Sequence, residues 1–248
     1  MGNFRIVDGH AHLNELKELG EALNEARRKG IAAIIGVGVG LESNQSILEI
    51  AEQNPGFVFA AVGYHPWNIK ETEISDNLAF IEDHVERCVA IGEVGLDYKA
   101  KVKKDMQKAV FHDIVKLSIK YHKTLILHCR YSHERVFSMI SDKVVKSAVF
   151  HWYTGTLDLL EKIIDSGHYI SATPALAYSP QHQVAIRKAP LENILLETDC
   201  PVRYQGHISR PADVITTLQL VAELKGLLRE QVAERTSENA NKLFRLFQ

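Results

Sequence analysis

Two histidines one residue apart, His10 and His12, end a short β-type run that begins at Phe4. In an extended strand, positions i and i+2 project to the same face. Both imidazoles can therefore reach one point, as two ligands of one metal ion must. Asp8 shares their parity and can join the cluster or hydrogen-bond to it. Further ligand-type residues recur after apolar runs: Glu93 after Val89–Ile91, His128 after Thr124–Leu127, His151 after Ser147–Phe150, and Asp199 after Asn193–Glu197. Unpaired, six such groups gathered together would bury polarity and charge at large cost, which a divalent cation offsets. The set exceeds what one tetrahedral zinc with an open position needs. It suits two cations sharing a bridging carboxylate, ~3.5–4 Å apart, which together stabilise the attacking and leaving oxygens of an in-line displacement. Glu93 is the bridging candidate, because its strand falls between the two histidine groups. Mixed nitrogen and oxygen donors leave the metal open among zinc, manganese and magnesium.

The elements that must position these residues alternate along the chain. Helix formers fill Leu13–Lys29 up to Gly30, and Ile31–Gly38 reads as a buried strand before a helix from Glu42 to Gln53. Val58–Val62 is the next strand, Asn77–Glu86 a helix, and Met106–Tyr121 has helical periodicity. Helices near His133–Ile140 and Leu157–Ser166 bracket the sixth strand, Tyr169–Ser171 is the seventh, and helices follow Pro211. That makes about eight strand–helix alternations, with continuous apolar strands as in sheets covered on both faces. With 248 residues, the chain has the usual size of a (β/α)8 TIM-type barrel, whose sites sit at the C-terminal ends of its strands. We read residues 1–248 as one such domain. A doubly wound open sheet is the other candidate, but no glycine-rich phosphate loop follows the first strand.

The composition sets further bounds. A formal net charge of −2 argues against coating nucleic acid by bulk charge, while leaving room for local cationic contacts. Cys88, Cys129 and Cys200 are few, odd in number and widely spaced, which fits a reducing compartment without a disulfide framework. Cys129 and Cys200 alternate with the ligand positions and read as small packing residues. No signal-peptide pattern opens the chain and its longest apolar run is too short to span a bilayer, so a cytoplasmic location without membrane partners is expected.

Asp8-Gly9-His10-Ala11-His12-Leu13, Gly63-Tyr64-His65-Pro66 and Gly92-Glu93-Val94-Gly95-Leu96-Asp97-Tyr98 follow one another in a familiar order. Leu127-His128-Cys129-Arg130, His151, Glu197-Thr198-Asp199-Cys200-Pro201 and Asn239-Ala240-Asn241-Lys242-Leu243-Phe244 continue it. In these stretches the chain resembles the TatD family of metal-dependent hydrolases, deoxyribonucleases of the amidohydrolase-like barrel class, over essentially its whole length. The resemblance implies one metal on His10, His12 and Asp199, a second on His128 and His151, and Glu93 bridging. It also implies that Asp199 is general base toward a metal-activated water, and that the substrate is DNA, a single strand cut from its 3′ end. The chain departs from the family pattern at Trp152-Tyr153-Thr154-Gly155 and at Ser209-Arg210-Pro211, both where substrate should rest.

A phosphodiester suits paired cations, because its non-bridging oxygens and its leaving alkoxide gain from them. His65, Arg130 and Arg210 are candidate substrate contacts; Arg130 could instead pair with a carboxylate, and His65 could pack the turn before Pro66. Lys99, Lys101, Lys103 and Lys104 could steer a polynucleotide or simply face solvent. Tyr64, Trp152 and Tyr153 could stack on unpaired bases, each contact worth ~1–3 kcal/mol. A small-molecule amidohydrolase acting on an ester, lactone or amide would use the same metals, though many such relatives bridge them with a fourth-strand lysine that Val89–Tyr98 lacks. Ester hydrolysis on transfer RNA and a non-catalytic binding role are further alternatives. DNA is expected as a transient partner of a monomer or weak oligomer.

Overall fold

The computed structural model describes residues 5–141 and 145–247, so Phe4 lies outside the described residues. Eight parallel strands pair in strict chain order: β1 (Ile6–Ala11), β2 (Ile31–Val37), β3 (Val58–Val62), β4 (Ala90–Asp97), β5 (Thr124–Arg130), β6 (Ala148–Phe150), β7 (Tyr169–Ala172) and β8 (Ile194–Leu196). Helices α1 (Leu19–Arg28), α2 (Leu41–Gln53), α3 (Ile74–His84), α4 (Lys104–Lys120), α5 (His133–Ser141), α6 (Leu157–Asp165), α7 (Pro180–Lys188) and α8 (Val214–Lys225) follow the strands in turn. The order never reverses, as a doubly wound sheet requires; the fold is a nearly closed (β/α)8 barrel.

Alternation along each strand builds two cores. Leu125, Leu127, Ala148, Phe150, Ile170 and Leu196 face outward into the helix layer. Ala33, Ile35, Ala61, Ile126, Val149 and Leu195 face inward, and Leu243 and Phe244 of α9 (Arg229–Phe244) join that inner cluster. The same inward parity, carried beyond the apolar residues, delivers His128 and His151 to the C-terminal mouth, whereas Glu93 is turned inward by a register irregularity between Ile91 and Val94 of β4.

Two expected boundaries shift. The segment from Leu13 begins with a short turn of 3-10 helix and becomes α-helical only at Leu19. Strand β4 continues to Asp97 where the apolar run alone ends at Ile91, because β5 runs beside it as far as the Asp97–Arg130 pairing. Glu93 and His128 thus lie within strands rather than after them. Gly95 permits this: its φ of +142° and the closeness of the His128 carbonyl oxygen leave no room for a Cβ.

The barrel closes where β1 meets β8. The Asp199 N–H donates to the His10 carbonyl at 2.9 Å, and the His12 N–H donates to the Cys200 carbonyl at 2.7 Å. Buried Asp8 secures the same seam, accepting from the Thr198 N–H at 2.9 Å and the Thr198 hydroxyl at 2.6 Å. A register irregularity between Asp8 and Ala11 breaks the simple alternation there. Asp8 therefore does not share the inward face of His10 and His12, and its carboxyl ties strands together.

Candidate metal centre

Glu93 is buried at the middle of the mouth, and each of its oxygens meets a different group of nitrogens. Its Oε2 lies 3.4 Å from His10 Nε2 and 3.4 Å from His12 Nε2. Its Oε1 lies 2.7 Å from His128 Nδ1 and 3.0 Å from His151 Nε2. Asp199 Oδ1 completes the first group, 3.6 Å from His10 Nε2 and 3.4 Å from His12 Nε2.

The spacing tests whether a cation fits. Four donors bonded at ~2.1 Å in a tetrahedron lie ~3.4 Å from one another. The two imidazole nitrogens of His10 and His12 are 3.2 Å apart, and the four edges just given to Glu93 and Asp199 span 3.4–3.6 Å. The His10 and His12 nitrogens therefore stand, toward Glu93 and toward Asp199 alike, at the distances that ligands around one small divalent ion keep.

Hydrogen bonding on the outer side of each ring supports the same conclusion. His12 Nδ1 lies 3.2 Å from the Val37 carbonyl, His151 Nδ1 3.3 Å from Glu197 Oε1, and His128 Nε2 3.0 Å from Asp97 Oδ2. Each of these acceptors takes the ring N–H, which leaves the inward nitrogen with its lone pair, the tautomer a metal ligand needs. His10 Nδ1 is buried with no partner among the described residues.

Without a cation, the cluster must hold protons instead. Burial alone would raise Glu93, but the surrounding histidines, His65 and His151 foremost, hold it well below the usual carboxylate range. Asp199 is likewise lowered against the pull of burial by His12, His10 and His151. Burial would lower the histidines, yet Asp199 and Glu93 push His12 up to about 10. His128 and His151 are raised in the same way by their carboxylate neighbours. A lone pair aimed at a carboxylate oxygen 2.7 Å away is repulsive, so a positive charge, proton or metal, has to sit between.

His65 differs. Its Nε2 approaches Glu93 Oε1 at 3.4 Å, and with His128 it completes a third possible donor group. Its Nδ1, however, accepts the Trp67 N–H at 3.2 Å, and burial lowers it to about 4 despite the pull of Glu93. A neutral ring with Nδ1 as acceptor keeps its proton on Nε2, so His65 faces the centre as a hydrogen-bond donor rather than a ligand.

Other expected contacts divide. Arg130 is exposed at the end of β5, with no carboxylate partner among the described residues. Trp152 is half-buried; its N–H donates to Ser171 Oγ and Glu197 Oε1, and its ring lies 5.5 Å from that of Tyr204. Tyr64 and Tyr153 are core residues, 2% and 0% exposed. The Tyr64 hydroxyl accepts the Lys70 N–H and that of Tyr153 donates to the Thr156 carbonyl, so neither ring offers a face to a base. Arg210 turns to α1, 3.0 Å from Glu18 and 3.7 Å from Glu25; these carboxylates hold the guanidinium that was expected to meet substrate. Cys200 is buried, Cys129 packs against the outer core, and burial pushes both thiols up, away from ligand duty.

Three further residues matter. Asp97 and Glu197 orient His128 and His151, and Trp67 donates its indole N–H to Asp97. Parity would have found the carboxylates: Asp97 is four residues from Glu93 and Glu197 two from Asp199, the rule that joins His12 to His10. Trp67 carries no such signal.

The family model for TatD-related DNases matches residues 7–245. The uncharacterized metal-dependent hydrolase YabD of Bacillus subtilis is 30% identical over 257 residues, covering 97% of this chain and 99% of that protein. The 3′–5′ ssDNA/RNA exonuclease TatD of Erwinia tasmaniensis is 29% identical over 246 residues, covering 93% of this chain and 95% of its own. Among solved structures, the TatD homologue YJJV of Escherichia coli superposes with a TM-score of 0.88 at 25% identity, covering 98% of this chain and 99% of that one. Among the described residues, no helix is long and apolar enough to cross a membrane.

Proposed function

The chain belongs to the TatD-related DNase family, and from that premise we propose that it is a two-cation phosphodiesterase acting on DNA, a 3′–5′ exonuclease on single strands. The division of Glu93 carries this reading: Oε2 faces His10 and His12 while Oε1 faces His128 and His151, as a carboxylate bridging two ions would. Magnesium, manganese or zinc bound there would supply Lewis acidity and lower the pKa of a water toward ~7.

The remaining work falls to the chain's own groups. Asp199, held ionised by its histidine neighbours, orients the attacking water and accepts its proton. His65, neutral with its proton on Nε2, donates to a non-bridging phosphate oxygen. Arg130 meets the phosphate of an adjacent nucleotide, and a bidentate guanidinium suits that geometry. The exposed Lys99, Lys101, Lys103 and Lys104 lie on the loop after β4 and at the start of α4, where they draw the strand toward the mouth. Trp152 at the opposite rim is a candidate base contact. Three free cysteines and a barrel closed by its own first and last strands support one unit, residues 1–248, working in the cytoplasm as a monomer or weak oligomer.

The test is an end-labelled single-stranded oligonucleotide incubated with the protein and magnesium, manganese or zinc in turn. The expected product is a ladder of mononucleotide steps from the 3′ end. Glu93→Gln should abolish it by more than ~100-fold, because even partners outside the ligand set typically cost 10–100-fold. An intact strand with every metal, accompanied by turnover of a lactone or amide, would replace the phosphodiesterase reading with the small-molecule one.

A further inference from the structure

Two large rings stand exposed at one side of the mouth. Trp67 is 55% exposed and Tyr131 is 70% exposed. Neither is loose. The Trp67 indole N–H is bound to Asp97 Oδ2, the oxygen that also receives His128 Nε2. Its ring stands edge-on to His65 with centroids 4.9 Å apart, and 5.8 Å from the His128 ring. A residue whose polar atom is satisfied by a buried carboxylate and whose face is left open is pre-organised to receive a flat group. Little conformational entropy remains to be lost when one arrives.

Tyr131 directly follows Arg130, and its backbone adopts φ +56°, a conformation few residues other than glycine take. The Lys99 ammonium lies 5.2 Å from the Tyr131 ring centroid, while the Lys99 N–H donates to Asp97 Oδ1 at 2.7 Å. Asp97 therefore anchors both sides: Trp67 through one oxygen and the Lys99–Tyr131 pair through the other. Beside Tyr131 opens a cavity of about 330 Å³ whose lining includes Tyr98, Tyr131, His133, Glu134, Arg135 and Thr156. Its size is near the lower limit for small-molecule sites, ~300 Å³. His133 Nε2 is buried without a partner among the described residues.

We propose that Trp67 and Tyr131 are a stacking subsite for the unpaired bases flanking the cleaved phosphodiester, with the cavity beside Tyr131 receiving the group stacked there. Aromatic faces bind any base, and cations beside them draw the backbone, which is how sequence-tolerant single-strand sites work. Lys99, Arg130 and Arg135 provide those cations at the Tyr131 end. A base must leave its helix to lie on either ring, so the subsite selects an unpaired strand. The assignment rests on the phosphodiesterase reading for its substrate, but it concerns the open faces of two rings, which the proposed chemistry does not use.

The experiment couples ring to base. A short fluorescein-labelled oligothymidine with phosphorothioate linkages, and the same strand with abasic residues at its 3′ end, are titrated by anisotropy against wild type, Tyr131→Leu, Tyr131→Phe, Trp67→Leu and Trp67→Phe in magnesium. The leucine variants should weaken binding of the strand with bases roughly fivefold or more, and the phenylalanine variants should recover most of that loss. On the abasic strand the leucine penalty should vanish. Because Trp67→Phe also lacks the bond to Asp97, its comparison with Trp67→Leu isolates the ring. A penalty equal on both strands, or none on either, overturns the subsite. Wild type that cleaves ordinary strands but binds both probes equally loses the subsite and keeps the nuclease. Base-dependent binding without cleavage keeps the subsite and loses the nuclease, and neither binding nor cleavage removes both.

Discussion

Replacing Asp97 with asparagine should misdirect one histidine without disturbing the fold. Asp97 Oδ2 receives His128 Nε2 at 3.0 Å and the Trp67 indole N–H, while Oδ1 receives the N–H groups of Lys99 at 2.7 Å and Ala100 at 3.1 Å. In Asp97→Asn the amide oxygen can keep the two backbone donors, so the turn into α4 survives. The amide NH2 then faces His128 Nε2 and donates to it, while the Trp67 indole N–H, which used the same oxygen, loses its acceptor. The imidazole proton moves to Nδ1, the nitrogen 2.7 Å from Glu93 Oε1, where it occupies the lone pair a cation needs. A wrong tautomer in an otherwise intact site is costly, and losing a partner of this kind typically lowers metal affinity 10–100-fold. At 1.4 kcal/mol per decade that is about 1.4–2.8 kcal/mol, of the order of one charge-assisted hydrogen bond. The assay is chelator-competition titration of zinc or manganese, with kcat/KM on an oligonucleotide measured in parallel. Asp97→Asn that melts like wild type and binds the cation within twofold of it would refute the tautomer reasoning and leave Asp97 as a turn residue.

Two further outcomes are expected. His12 is held up at about 10 in the metal-free chain against an ordinary value of 6.5; being raised, it contributes stability fully below 6.5 that is lost as pH climbs through about 10, and a cation must displace its proton. Binding at pH 8 should therefore release protons, seen as a buffer-dependent heat in titration calorimetry, and affinity should rise with pH across that window; a flat profile would refute it. Thr198→Val removes the 2.6 Å hydroxyl donor to buried Asp8, at about 1–3 kcal/mol for a stranded acceptor; the midpoint of thermal unfolding should fall by roughly 2–12 °C, and an unchanged midpoint would show that the seam does not depend on it.

The barrel was legible because its signals are local: apolar runs of strand length, helix formers between them, and ligand-type residues where each run ends. His10, His12, His128 and His151, far apart in sequence, meet around the Glu93 carboxylate for that reason, with Asp199 beside the first two. What failed was whatever depended on side-chain direction in loops. Tyr64 and Tyr153 read as aromatic contacts, yet each has its hydroxyl bonded to nearby backbone and its ring buried. Arg210 read as a substrate contact, yet its guanidinium is held by Glu18, just before α1, and by Glu21 and Glu25 within it. Asp8 fell to a strand irregularity that no alternation pattern encodes. Trp67 went unnoticed because an exposed tryptophan after a proline has no periodicity; only its bond to Asp97 gives it a place.

The seam that closes the barrel and the cluster that faces the mouth are built from the same residues. His10 and His12 on one side and Asp199 on the other give backbone atoms to β1–β8 closure and side chains to the first donor group. Among the described residues the seam is marked by those bonds, the Asp8–Thr198 tie and an isolated parallel bridge between Ala11 and Cys200. Any ion held by these side chains therefore also holds the first strand to the last, and its binding free energy adds to that of closure. At a hundredfold excess over the dissociation constant the contribution is ~2.7 kcal/mol, comparable to several neutral hydrogen bonds. The same linkage explains why so many charges can be buried at the least regular pairing in the sheet. Their mutual attraction substitutes for a ladder, and a lost ligand is expected to loosen the fold where it also disables the chemistry.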